Sequence, residues 1–92
     1  MNWIVNIEKK KDQRIKVVFD PLNELIIFMG QYKPHNKEWL NFSEITHVMD
    51  IDLDGIKLLI EKSYDLMNKR LEFYKNIDEG FNVIRNIEID DK

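Results

Sequence analysis

Ninety-two residues with a formal charge of −3 suit one domain and are too few for two independent cores. An apolar fraction of 43% with ten aromatics supplies the material of a core, unlike the composition of a disordered chain. The absence of cysteine excludes disulfides, zinc–thiolate sites, iron–sulfur clusters and thiol nucleophiles, and with them an extracellular disulfide scaffold.

Met1 to Glu8 carries no basic segment followed by a long apolar run, and the longest uninterrupted apolar stretch is Leu25 to Met29. Neither a signal peptide nor a membrane span is expected, so the expected location is cytoplasmic. Alanine is missing and lysine far exceeds arginine, as in the AT-rich coding sequence of a low-GC bacterium or one of its phages. Charge is unevenly spread. Residues 1–46 hold seven basic and six acidic side chains, residues 47–92 seven and eleven, which makes an anionic partner more plausible on the first half.

In chain order, residues 3–42 alternate short β-rich runs with turn signals. The pattern predicts strands at Trp3 to Lys9, Arg14 to Phe19, Glu24 to Lys33 and Lys37 to Phe42, joined by connections short enough for a four-stranded antiparallel meander. Alternation directs Trp3, Val5 and Ile7, then Ile15, Val17 and Phe19, to one buried face, with Leu40 and Phe42 joining them. The third strand is apolar on both faces and should be central. Residues 43–52 read as a linker that includes a helical turn.

A long amphipathic helix is predicted over residues 53–78, with Asp52 as N-cap, Asp54 in the first turn and Gly80 as the stop beyond it. Ile56, Ile60, Tyr64, Met67, Leu71 and Tyr74 share one stripe, expected to face the sheet. Leu59, Leu66 and Phe73 repeat every seven residues beside it, with Ile77 adjacent and Ser63 and Arg70 between. A small sheet covers one stripe, so this second seam is expected to join two copies in a homodimer or higher oligomer. The tail, residues 81–92, ends on alternating Ile87 and Ile89 and suggests a short edge strand. The fold class is therefore α+β, four strands followed by one helix.

Asp50, Asp52, Asp54, Gly55 and Glu61 match the spacing of a calcium loop and resemble an EF-hand over some twelve residues. Lys57 stands where an apolar residue is usual, and no second loop accompanies the first. These acids are accordingly read as a helix N-terminus and a solvated helix face, with no metal expected; a calcium-binding module is the third functional reading. His35 and His47 lack metal-pair spacing, Ser43 and Ser63 lack a nucleophile-elbow context, and the three glycines are isolated, so neither catalysis nor a cofactor is expected.

A surface remains. Lys9, Lys10, Lys11, Arg14 and Lys16 lie on the first hairpin, and Tyr32, Lys33, Lys37 and Trp39 on the second. Cations track phosphates and aromatic faces stack on bases, so this interleaving suits single-stranded nucleic acid. The alternative is a protein-interaction or structural module acting through its helix, such as a phage-encoded accessory or inhibitory protein. The order of elements from Arg14 to Ile77 resembles the positive-cofactor-four type of transcriptional coactivator, a family that dimerises through its helix and grips single-stranded DNA on its sheets. That resemblance implies roles for Arg14, Lys16, Lys33, Lys37 and Trp39.

Overall fold

The computed structural model describes residues 1–35 and 37–90, with helix side chains described through Ile77. Four strands, β1 (Trp3–Lys10), β2 (Gln13–Asp20), β3 (Leu25–Tyr32) and β4 (Leu40–Val48), are followed by one helix, α1 (Leu53–Asp90). The sheet is antiparallel throughout, in the order β1-β2-β3-β4. Ile15, Val17 and Val18 in β2 and Ile26, Ile27 and Phe28 in β3 are the β-branched and aromatic residues that fit a pleated, buried surface. The two strands that hold them are central.

One face of the sheet is covered by α1. Ile15, Val17, Ile26 and Phe28 form the buried cluster, and Ile56, Leu59, Ile60 and Tyr64 pack against it from the helix. Asp52 starts the helix as predicted, its Oδ1 accepting from the Gly55 N–H at 2.8 Å, a bond that satisfies one of the first-turn donors. Ile51 and Ile56, the positions that flank such a cap, both pack against the core in the spacing of a hydrophobic staple.

The helix comes closest to the sheet at Gly30. A Cβ there would lie 2.3 Å from Ser43 Oγ and 2.7 Å from Met67 Cβ, so only glycine admits this approach. Ser43 Oγ accepts from the Gly30 N–H at 3.0 Å and donates to the Ser63 carbonyl at 2.9 Å. Ser63 is 0% exposed, and its hydroxyl has both Ser43 Oγ and the Phe28 carbonyl within reach. The expected placement of Ser63 in a dimer seam is corrected: its small size serves the contact between the helix and its own sheet.

Further differences follow from where the helix lies. It crosses β2, β3 and β4 and leaves the first half of β1 uncovered, so Trp3 and Val5, expected in the core, are 62% and 48% exposed. The fourth strand runs to Val48, in place of a linker over residues 43–52, because Ile45, Thr46 and Val48 complete the pairing with Phe28, Ile27 and Leu25. A bulge at Phe42, between the Gly30–Ser43 and Gln31–Asn41 pairs, resets the alternation. Phe42 stays half-buried, edge-on to Tyr32 and Tyr74 at 6.1 and 5.5 Å, whereas Leu40 is exposed.

Gly80 does not stop the helix, and residues 81–90 continue it rather than forming an edge strand. A single helical glycine costs only about 1 kcal/mol relative to alanine, and Ile77, Phe81, Ile84 and Ile87 keep helical spacing across it. No helix among the described residues is long and apolar enough to cross a membrane.

Candidate nucleic-acid interface

The meander brings its connections to two opposite ends of the sheet. The β1–β2 turn and the β3–β4 connection share one end, tied by the Lys33 N–H donating to the Asp12 carbonyl at 2.8 Å. The β2–β3 turn and the start of the helix share the other, tied by the Met49 N–H to the Glu24 carbonyl at 2.8 Å. Lys10, Lys11, Arg14, Lys33, His35 and Lys37 therefore gather at the first end. Asp20, Glu24, Asp50, Asp52 and Asp54 gather at the second. A chain of net charge −3 is in this way polarised, with a local cationic field at one end.

On the face turned away from the helix, strand register sets Glu8, Arg14, Gln31 and Asn41 in one row at the basic end. Arg14 Nε donates to Gln31 Oε1 at 2.7 Å, and Gln31 Nε2 donates to Asn41 Oδ1 at 2.6 Å. Gln31 is buried, so both ends of its amide are satisfied and the guanidinium is fixed in direction. Trp39, immediately before β4, lays its indole over this row. The Arg14 guanidinium sits 4.2 Å from the ring centroid and the Lys33 ammonium 5.7 Å. The first is a close cation–π stack, and the second lies near the outer limit of such interactions.

The predicted residues divide accordingly. Arg14, Lys33 and Trp39 come together in one cluster. Lys16 stands on the same face but in the next row, between Asn6 and Met29. Tyr32 is on the helix side of the sheet, against Phe42 and with the Lys75 ammonium 5.4 Å from its ring. Its edge nonetheless lines an open cleft with Lys10, Lys11, Asp12, Lys33 and His35. Lys37 lines the neighbouring cleft with His35, Leu40, Tyr74 and Lys75. Gln31 and Asn41, which orient Arg14, were not singled out by sequence. Gln31 meets Arg14 through the regular β2–β3 register, whereas Asn41 comes into line only through the β4 bulge, which leaves no local signal.

Of the seam residues, Leu59 and Leu66 are half-buried, and Phe73 and Ile77 are 66% and 42% exposed. Arg70 Nη1 donates to the Phe42 carbonyl at 3.0 Å. The acids of the calcium-like spacing are used separately: Asp52 caps the helix and Glu61 pairs with Lys9 at 2.9 Å. Among the described residues no three His, Asp or Glu side chains are grouped to hold a metal ion. His35 adopts a left-handed turn conformation, φ 41°, and His47 Nδ1 is 2.7 Å from the Val48 carbonyl oxygen.

Neither protein-family models nor curated proteins nor solved structures yield a match to this chain.

Proposed function

We propose that the protein is a non-catalytic binder of single-stranded nucleic acid, held at the basic end of the sheet. The observation that carries this reading is the Trp39 indole, backed by a fixed Arg14 and flanked by Lys33. Arg14 is tied to Gln31 and stays in place. Lys33 is the looser neighbour, so a base stacks by displacing it, and the freed ammonium meets the adjoining phosphate. Lys10, Lys11 and Lys37 extend the cationic track beyond the indole.

The test is a salt titration with a labelled single-stranded oligonucleotide. Lys33→Glu combined with Lys37→Glu should weaken binding at low salt and flatten the salt slope by roughly 0.7 for each phosphate that is no longer neutralised. Lys16→Glu, one row away, should have the smaller effect. Equal affinity and slope in the double variant would remove the basic end from consideration.

A second reading, a protein-interaction module acting through its helix, is favoured by one observation. Phe73, Tyr74 and Ile77 are 66%, 48% and 42% exposed on one helix, an apolar exposure that single-stranded nucleic acid would not cover.

A further inference from the structure

Pro34 and His35 form the tip of the β3–β4 connection. The Lys37 N–H donates to the Pro34 carbonyl at 2.8 Å, closing a turn, and His35 takes up the left-handed conformation at φ 41°. Besides glycine, Asn, Asp and His are the residues that accept that conformation most readily. The turn holds the His35 side chain exposed at the basic end.

Two clefts meet at this imidazole. One, of about 550 Å³, is lined by Lys10, Lys11 and Asp12 around the β1–β2 turn and by Lys33. The other, of about 450 Å³, is lined by Lys37 from the connection and by Tyr74 and Lys75 from α1. Tyr32 and His35 line both. Among the described residues, the charged groups around His35 are therefore lysines and the single carboxylate of Asp12; Glu38, the next acid along the connection, lines neither cleft. Two of the lysines are already placed, Lys33 near the Trp39 ring and Lys75 near the Tyr32 ring, so the imidazole between the clefts is a donor that no ring contact engages.

Histidine is the side chain that changes charge between about pH 5 and 8. Lysine and tyrosine titrate above that range and carboxylates below it. A phosphate within hydrogen-bonding reach of an imidazole favours its charged form. The chain's other groups that titrate near neutrality lie at the opposite end of the sheet. His47 Nδ1 is 2.7 Å from the Val48 carbonyl oxygen, and the charge of the terminal amine acts on Asp20.

We infer that His35 is a phosphate-binding residue of the nucleic-acid interface, donating as imidazolium to a backbone phosphate that the flanking lysines draw into the clefts, so that binding of the strand takes up a proton. The inference rests on the single-stranded nucleic-acid reading above and adds to it the protonation state of the bound protein. Proton uptake on binding makes affinity highest at low pH. It then falls as pH rises through the histidine range, by at most about tenfold per unit for one proton.

The probe is an oligothymidylate without a terminal phosphate, carrying a pH-insensitive dye, with affinity measured at fixed low salt from about pH 5.5 to 8, where the charge of the ligand is constant. The parent should bind about tenfold or more tightly at the lower limit than at the upper. His35→Asn keeps a residue suited to the left-handed turn and should bind at every pH as weakly as the parent does at the upper limit. His47→Asn should reproduce the parent's profile. His35→Lys carries a fixed charge and should bind with little pH dependence, and more tightly than His35→Asn at the upper limit. Equal affinity of the parent throughout, a pH dependence that survives in His35→Asn or is lost in His47→Asn, or equal binding by His35→Lys and His35→Asn would each overturn the inference and leave the nucleic-acid reading standing. A parent that binds at no pH would overturn both.

Discussion

Both faces of the sheet carry polar side chains and put them to different uses. On the face under the helix, polar groups are enclosed: Ser43 and Ser63 bond each other and the backbone, and both are buried. On the other face, polar groups at the basic end are arranged but remain accessible, with Arg14 fixed by Gln31 beneath a half-exposed Trp39. The contrast teaches that a serine in a helix seam or a tryptophan beside a strand carries no meaning until the face is known. Substitutions should therefore separate cleanly. Those on the covered face should change stability, and those on the open face should change binding.

The largest effect is expected from Phe28→Ala. Phe28 is 0% exposed at the centre of the core, and its truncation should lower unfolding free energy by about 3–5 kcal/mol in denaturant titration. A loss under about 1 kcal/mol, the size of an ordinary surface change, would break the distinction between faces.

Gly30→Ala sharpens it further, since the sign of the change is informative. In an unobstructed strand this substitution gains roughly 0.5–1 kcal/mol from reduced backbone entropy. Here the added Cβ meets Ser43 Oγ and Met67 Cβ at 2.3 and 2.7 Å, and a destabilisation of about 1–3 kcal/mol is expected. A rise in the thermal midpoint would show that helix and sheet are not in close contact at this point.

Asp52→Ala removes the cap from the Gly55 N–H and should cost about 1 kcal/mol. It should leave nucleic-acid affinity unchanged, because the acidic end lies away from Trp39.

The smallest effect concerns Asp20 in the β2–β3 turn. Hydrogen bonds from the Asn23 side chain and then its backbone hold the Asp20 carboxyl below its ordinary value of 3.8. A carboxylate lowered in the folded state contributes stability that is present above the unfolded value and is lost as pH falls through the lowered one. The group is exposed, so the contribution is slight. An NMR titration should show Asp20 ionising below the ordinary value and Asn23→Ala returning it upward; no change in that variant would contradict the assigned cause.

Much of this architecture is legible in the sequence because strand and helix periods are local. Ile15 and Val17 alternate with Arg14 and Lys16, and Asp52 with Gly55 marks the helix start three residues apart. What could not be read depends on contacts between distant residues. The bulge at Phe42 exists because β4 must pair with β3 on both sides of Gly30, and it alone brings Asn41 into line with Gln31 and Arg14. The exposure of Trp3 depends on which strands the helix crosses. Ser63 resembles a seam residue in sequence, and only the proximity of Gly30 reveals that its partner is its own sheet. The cluster of Arg14, Lys33 and Trp39 was accessible as composition, but the separation of Tyr32 to the other face required the register.

The most direct measurement of the central claim is indole fluorescence in a Trp3→Phe background, where Trp39 is the remaining tryptophan. Titration with a single-stranded oligonucleotide at low salt should quench that emission in a saturable, salt-sensitive manner. Trp39→Ala should then weaken binding by about 1–3 kcal/mol, the range of one base stacked on an aromatic ring, with the unfolding midpoint close to that of the parent. Emission that does not respond to the oligonucleotide, together with unchanged affinity in Trp39→Ala, would contradict the account.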